Sequence, residues 1–304
     1  MSIKKDAQGL SLLSQEYDLG RERSREPHFY LVQHEVVTHA SNGKRKAVDM
    51  YKMRLMCKPG DRAAGETADK YTCVNFSVKR KDTPEVTIPS LDGWSYAFSK
   101  QLLNEKGLDS QGQMMGIPHA KFEKLTDSTG AKLPIELPYQ IYSAFTYFHT
   151  CCNILTEPDQ FFKGIQDVKR IGDKNVSNIS YELPIDLGEN ILKGSTYKTG
   201  ETTLEFKGLG TVDDTACAIM SYEEVGGSWT AYIKAMPLMT VKTGGGTQIR
   251  ADIYIDLASL WVKKATYVVT DITKTTLFGI PVEIATIVTT HTIKAVDKNK
   301  FVQD

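Results

Sequence analysis

The chain has 304 residues, with 37 basic and 37 acidic side chains, 41% hydrophobic residues and five cysteines. A chain of this length buries roughly 75% of its unfolded surface, so it needs neither disulfides nor a metal to fold. The balanced charge argues against a general nucleic-acid-binding protein, which usually carries a basic excess. No apolar run reaches the roughly 18 residues of a membrane span. We therefore expect a soluble protein that neither binds nucleic acid nor spans a membrane.

The N-terminus and the cysteines indicate the compartment. The first ten residues contain no apolar core of a signal peptide, which predicts a cytoplasmic protein. A mature exported protein that begins with a replacement Met would have the same pattern. Cys151 and Cys152 are adjacent and no C-x-x-C motif occurs, so no zinc ribbon or thioredoxin-type site is indicated. We expect buried, reduced thiols.

In chain order, residues 1–27 are polar and charged and predict an N-terminal arm. The remainder, 28–304, predicts a single β-rich domain. It begins with four strand candidates over 28–99, the first two separated by an Asn-Gly turn at 42–43. Residues 100–137 are rich in Gly, Pro, Asp and Ser, which predicts a long, irregular, lid-like connection.

One amphipathic helix is predicted over 138–155, because Ile141, Phe145 and Phe148 recur at helical spacing. Residues 178–296 then predict eight short antiparallel strands, separated by turn residues. The turn residues include Gly226-Gly227 and the run Gly244-Gly245-Gly246, which we interpret as a flexible hairpin turn.

These elements predict a mainly β fold (α+β), a large curved antiparallel sheet or partial barrel with one central amphipathic helix. The arrangement resembles the half-barrel-and-helix architecture of lipoprotein carriers and lipocalin-like proteins. The resemblance is architectural, and no motif assigns the chain to a named family. Curved sheets of this kind commonly hold one small ligand.

His149 is the first candidate functional residue. It lies near Phe145 on the apolar face of the predicted helix, flanked by Tyr142 and Cys152. Burial lowers the pKa of an unpaired imidazole, so His149 could exchange a proton near neutral pH. The same position also suits a core histidine with hydrogen-bond partners. We take His149 as a candidate catalytic residue and Tyr142, Phe145 and Cys152 as candidate ligand contacts.

A second candidate set follows one strand. Arg250, Asp252, Tyr254 and Asp256 share a face, because alternate residues of a strand point the same way. Carboxylates two residues apart lie roughly 7 Å apart and could perform acid–base chemistry if this face lines a cavity. If the face is solvated, they are surface residues with an Arg–Asp pair. Asp252 and Asp256 are therefore candidate catalytic residues, and Arg250 and Tyr254 candidate ligand contacts.

Two more residues are candidate ligand contacts, and several known catalytic and metal-binding motifs are absent. His119 lies in a Gly-Ile-Pro-His loop and Trp94 follows an Asp-Gly turn, so either could line a cavity. His34 and His39 are five residues apart and point to opposite faces of a strand, which excludes a zinc-protease motif. The sequence contains no P-loop, no G-x-S-x-G and no G-x-G-x-x-G. We predict no metal site and no cofactor.

The sequence therefore predicts binding of a small apolar or amphiphilic molecule in a cavity between the helix and the curved sheet. The alternative is a cofactor-free acid–base enzyme, an isomerase, cyclase or lyase, acting in the same cavity with His149 and Asp252 or Asp256. An interaction module is a third class, which predicts exposed apolar surface and no sizeable pocket. The identity of the ligand and the oligomeric state stay open.

Overall fold

A computed structural model describes residues 12–134, 136–185, 187, 190–236 and 239–303. The first eleven residues of the predicted arm lie outside the described residues. The described chain forms thirteen strands in one antiparallel sheet: β1 His28–Ala40, β2 Arg45–Lys58, β3 Asp69–Lys79, β4 Val86–Thr87, β5 Ser95–Phe98, β6 Lys174–Ser177, β7 Glu182–Pro184, β8 Thr196–Lys198, β9 Glu201–Val212, β10 Thr215–Met236, β11 Met239–Asp256, β12 Val262–Leu277 and β13 Ile280–Val296.

The first and last strands are neighbours in the middle of this sheet. The order is β4-β3-β2-β1-β13-β12-β11-β10-β8-β7, with β5 beside β3, β9 beside β10 and β6 beside β9. The β1–β13 pairing runs from Phe29 opposite Val296 to Ala40 opposite Ala285. The sheet is open, and the two halves of the chain meet along this central pair.

The α-helices of the described chain are α1 His119–Phe122, α2 Leu137–His149 and α3 Lys298–Gln303, and a π-helical turn, Thr150–Ile154, continues α2. The helix predicted over 138–155 is confirmed. Pro138 suits the first turn, where a backbone N–H has no intrahelical partner. No helix of the described chain is long and apolar enough to cross a membrane.

The core is an aromatic layer between α2 and the concave face of the sheet. The ring of Phe148 contacts Tyr30 and Tyr71, with ring centroids 5.1 and 5.8 Å apart. Phe145 stacks on Phe76 at 5.9 Å. Alternate residues of the long strands meet the helix, as half-buried antiparallel strands require. The predicted fold class, a large antiparallel sheet with one central helix, is confirmed.

Two glycine runs assigned to turns lie inside strands, so that prediction was wrong. Gly226-Gly227 forms a bulge in β10, and Gly244-Gly245-Gly246 lies within β11. A Cβ on Gly245 would stand 1.9 Å from the carbonyl oxygen of Ile272. Close approach of two backbones, rather than a turn, therefore requires glycine there. The residues on either side of each run therefore belong to the same strand, β10 or β11, and the segment predicted over 229–242 is divided between these two strands.

The described end of the N-terminal arm is attached to the end of α2 by Arg23. Its guanidinium donates to the carbonyl oxygen of Cys152 and the hydroxyl of Thr156, both at 2.7 Å, and pairs with Glu157 at 2.7 Å. It also lies over the ring of Trp261, 4.7 Å from the centroid. These contacts join the arm, the end of the helix and the turn before β12 without a covalent link, and all five cysteines are free and buried.

Candidate functional site

His149 lies at the end of α2 and is fully buried. Its ring stacks on Phe98 with centroids 4.2 Å apart. Nδ1 lies 2.9 Å from Oδ1 of Asn153, and Nε2 lies 2.7 Å from the hydroxyl of Tyr96. Because Oδ1 accepts from Nδ1, Nε2 accepts from the phenol. Burial lowers the pKa of His149 to about 3, so the imidazole is neutral at pH 7 and both nitrogens are occupied by protein partners.

Four of the candidate ligand contacts come together beneath the long connection. Nε2 of His119 lies 3.1 Å from the hydroxyl of Tyr142, and the rings of Trp94 and Phe145 are 5.6 Å apart. Cys152 is buried in the π-helical turn, and burial raises the pKa of its thiol well above the ordinary value. None of these five residues lines either of the two cavities described below.

The candidate residues of β11 occupy the convex face of the sheet. Asp252 is exposed, and Arg250 pairs with Glu223 at the surface, 3.4 Å apart. Tyr254 is half-buried on the same face. Asp256 accepts hydrogen bonds from the N–H of residue 258 and the hydroxyl of residue 259, which shapes the turn after β11. His149 lies on the concave side, so the structure does not bring it together with Asp252 or Asp256.

A cavity of about 320 Å³ lies on the concave face, at the end of the sheet where the β1–β2, β10–β11 and β12–β13 hairpins turn. We call this end of the sheet the hairpin end. Both halves of the chain contribute threonines, aliphatic side chains, an indole and an ion pair to the cavity wall: Thr38, Lys46, Ala47, Trp229, Thr243, Thr273, Thr275, Glu283, Ala285 and Ile287. No residue of α2 is among them, so this cavity lies between strands rather than between helix and sheet.

Asp271 lies beside the cavity, two residues before Thr273 on the same face of β12. Its carboxylate accepts a hydrogen bond from Nε1 of Trp229 at 3.2 Å and another from the hydroxyl of Thr247. Burial raises the pKa of the Asp271 carboxyl, and the two hydrogen bonds oppose that shift. The carboxylate thereby holds the indole of Trp229 in a set orientation at the cavity wall.

Glu224, on β10, is a buried carboxylate, 4% exposed. It accepts hydrogen bonds from the hydroxyls of Tyr197 and Tyr222, the latter at 3.1 Å, and from the N–H of Gly200 at 2.9 Å. The bulge at Gly227 leaves room for it, since a Cβ there would lie 2.9 Å from Glu224 Oε1. With these partners Glu224 joins β8 and β9 to β10 and supports the bulge beside Trp229.

A buried histidine pair lies deeper on the concave face. His34 and His291 face each other across β1 and β13, with ring centroids 5.5 Å apart, and both are at most 1% exposed. Their nitrogens have no hydrogen-bond partner among the described residues, although the amide of Gln140 approaches His34 without hydrogen-bond geometry. Burial lowers the pKa of His34 to about 4 and that of His291 well below its ordinary value. Both imidazoles are therefore neutral at pH 7.

A larger depression of about 750 Å³ lies at the opposite end of the sheet. It is bounded by the connection after β2, residues 58–60 and 65–68, and by residues 95–97 of β5. Much of its wall is an exposed connection, whereas the smaller cavity is built on strands beside the half-buried carboxylate of Asp271. Sites on strands hold their geometry better than sites on loops. The smaller cavity is therefore the better candidate site.

Asp271 and the role of Trp229 were not predicted from the sequence. Asp271 follows Tyr267 and Val269 at alternate positions, so it falls on the apolar face of its strand. An acidic residue at such a position indicates a buried carboxylate that needs hydrogen-bond donors. That signal could have identified Asp271. The donor on Trp229 could not have been found, because it comes from a strand two positions away in the sheet.

No family model matches the chain, and no curated protein matches it. Among solved structures, it is similar to a DUF1329 family protein from Desulfovibrio piger, with 8% identity over 91% of this chain and 90% of that chain and a TM-score of 0.17. A mutant porin of Rh. blastica has 7% identity over 89% and 100%, with a TM-score of 0.21. OmpT of Vibrio cholerae has 9% identity over 90% and 100%, with a TM-score of 0.19. Similarities this low assign neither a family nor a function.

Proposed function

We propose that this protein binds a small amphiphilic molecule in the cavity at the hairpin end. The observation that carries the proposal is Trp229, held by the half-buried carboxylate of Asp271 at the wall of a cavity built on strands. An aromatic ring fixed in this way offers a flat apolar surface at little entropic cost, because its orientation is already set.

The other walls divide into an apolar part and a polar part. Ala285 and Ile287 of β13 supply aliphatic surface, and the threonines supply hydroxyls. The Lys46–Glu283 ion pair lies at the rim. A volume of about 320 Å³ falls at the lower end of the range for small-molecule sites, about 300–1,000 Å³. An apolar body with one polar end fits this distribution of groups.

The proposed ligand class is the one predicted from the sequence. The proposed site is different, because it lies at the hairpin end rather than between the helix and the sheet. The proposal includes no catalytic step. His149 and the pair Asp252 and Asp256 lie outside this cavity and on opposite sides of the sheet, so an acid–base reaction here would need other residues.

The proposal is tested with a substitution that fills the cavity. Ala285 is 5% exposed and lines the cavity, so Ala285→Phe places a ring inside it. Thr286→Phe is the matched control, because the next residue of a strand points to the convex face. The probe is 8-anilinonaphthalene-1-sulfonate, an amphiphile whose fluorescence rises in apolar sites. We expect saturable binding by the wild-type chain and Thr286→Phe, and at least tenfold weaker binding by Ala285→Phe.

Native mass spectrometry and solvent extraction of freshly purified protein would identify any molecule that co-purifies. Circular dichroism and thermal unfolding of both variants establish that they are folded. Equal probe binding by a folded Ala285→Phe variant would overturn the proposal.

A further inference from the structure

The tip of the β12–β13 hairpin exposes a set of apolar side chains: Ile272, Phe278, Ile280, Val282 and Ile284. Phe278 is 84% exposed and Ile280 is 66% exposed. Ile272 and Ile284 lie on the convex face, because their neighbours Thr273 and Glu283 line the cavity on the concave face, and a bulge at Val282 interrupts this alternation toward the tip. Single exposed apolar residues are ordinary, but a contiguous set marks a site of interaction with a protein or a membrane. We call these five residues the apolar tip.

The backbone of the apolar tip also has a free edge. The β1–β13 pairing ends where Ala40 lies opposite Ala285, so residues 280–284 pair with β12 and extend beyond β1. A free edge of this kind is usually protected by charge, because it would otherwise pair with another chain. The charges around it therefore decide which partner it accepts.

Those charges are almost all positive. The three hairpins at this end, residues 41–46, 232–243 and 272–285, carry six basic side chains and one acidic side chain, Glu283, which pairs with one of the six. All six basic residues are exposed: Lys44, Arg45, Lys46, Lys234, Lys242 and Lys274. The whole chain has no net charge, so this excess is a local property of the hairpin end.

We infer that the hairpin end docks on the surface of an anionic phospholipid bilayer. Phe278 and Ile280 would enter the interface between headgroups and acyl chains, and the surrounding lysines would face lipid phosphates. Apolar side chains flanked by basic residues are the composition of interfacial membrane anchors. A second copy of this chain fits less well, since it would bring the same positive charges against one another.

This inference goes beyond the proposed function, and it rests on exposed side chains rather than on the cavity. The two sites are nevertheless close, because Lys46 and Glu283 belong both to the cavity wall and to the hairpin end. Docking would therefore bring the cavity next to the bilayer, from which an amphiphilic molecule could enter.

The test is vesicle flotation with the full chain. One set of vesicles contains phosphatidylcholine alone, and the other includes phosphatidylglycerol at roughly one third of the lipid. We expect flotation with the anionic vesicles only, weakening between about 0.1 and 1 M salt as the Debye length falls from about 10 Å to 3 Å. Replacing both Lys242 and Lys274 by Glu should weaken binding by at least about 25-fold, since each basic residue near such a surface contributes about fivefold.

The apolar contribution is tested separately. Phe278→Ser combined with Ile280→Ser should lose at least tenfold in binding, whereas Phe161→Ser combined with Leu102→Ser should bind as the wild type does. Leu102 and Ile280 are equally exposed, at 66%, which makes the second variant a matched control. Lys106→Glu controls for a charge change on another exposed surface.

Three outcomes would overturn the inference. The first is a wild-type chain that does not float with anionic vesicles, and the second is flotation that the tip variants leave unchanged. The third is a dimer in sedimentation velocity that the tip variants abolish, which would assign the apolar tip to a second copy. Probe binding in the cavity, measured on the same samples without lipid, separates failure of docking from failure of the proposed function.

Discussion

The buried pair His34–His291 makes the native state sensitive to mild acid. Both imidazoles are neutral in the folded chain, because burial lowers their pKa, whereas in the unfolded chain a histidine titrates near pH 6.5. Below pH 6.5 the unfolded state therefore binds more protons than the native state. The free energy of unfolding is highest above this pH and decreases as the pH falls toward the native pKa, about 4 for His34.

The magnitude follows from the difference in pKa. One unit corresponds to about 1.36 kcal/mol, so at pH 5 each histidine that stays neutral lowers the free energy of unfolding by about 2 kcal/mol. His149 is also buried and neutral, and its pKa is about 3. The three core histidines together account for about 6 kcal/mol at pH 5, a large part of a typical total stability of about 5–15 kcal/mol.

His291→Phe isolates one of these contributions. At pH 7 we expect it to change the free energy of unfolding by less than about 1 kcal/mol, because the ring it replaces has no hydrogen-bond partner among the described residues. Between pH 7 and pH 5 the variant should lose about 2 kcal/mol less than the wild-type chain. The assay is urea unfolding at both pH values, followed by circular dichroism.

Tyr51→Phe is the control for that experiment. The hydroxyl of Tyr51 is buried beside His34 and also has no hydrogen-bond partner among the described residues. Burial raises the pKa of this phenol further above neutral, so it does not titrate between pH 5 and 7. The control should keep the wild-type pH dependence. If His291→Phe keeps it too, His291 is not a buried neutral histidine and the reasoning is refuted.

Three further predictions concern the scaffold of the site. Gly245→Ala should lower the free energy of unfolding by about 3 kcal/mol in urea titrations, because the new Cβ would meet a carbonyl oxygen. The control, Gly246→Ala, has space for a Cβ and should lower it by less than about 1 kcal/mol. Equal effects would contradict the close approach of the strands. Asn153→Leu should cost about 3 kcal/mol by the same measurement, since it removes the partners of Nδ1 of His149 and of the hydroxyl of Tyr71. A neutral effect would refute the buried network. Arg23→Ala should increase the rate of proteolytic cleavage before β1, because it removes the contacts between the arm and the end of the helix. The control is Arg25→Ala, which should change this rate little, since Arg25 contacts only a neighbouring glutamate and one backbone carbonyl among the described residues. Identical rates for the two variants would show that Arg23 does not hold the arm.

Local patterns were sufficient to predict β1 and α2. The alternation that starts at His28 and the helical spacing of Ile141, Phe145 and Phe148 reflect burial against one partner surface, and both appear in the structure at nearly the expected bounds. The glycine runs were misassigned because a turn and a close approach of two strands both favour glycine. Only the neighbouring strand distinguishes them, and its position is not written in the local sequence.

The candidate site was harder to predict for the same reason. His149 fits an apolar helix face, but its actual partners, Tyr96 and Asn153, come partly from a strand far away in the chain. Asp252 and Asp256 share a face as predicted, and alternation alone could not show that this face is convex. The cavity is formed by side chains from both ends of the sequence, such as Thr38 and Trp229, so only the order of strands in the sheet reveals it.

The neighbouring positions of β1 and β13 have a consequence for how the chain reaches its native state. Each half of the chain can form its hairpins from nearby residues, but the central pairing joins segments from opposite ends of the sequence. Contacts of such high sequence separation slow folding, and a chain emerging from the ribosome cannot make them until β13 has been synthesised. Until then the edge of β1 that later pairs with β13 is exposed. During this interval the protein is most prone to aggregate and most accessible to chaperones.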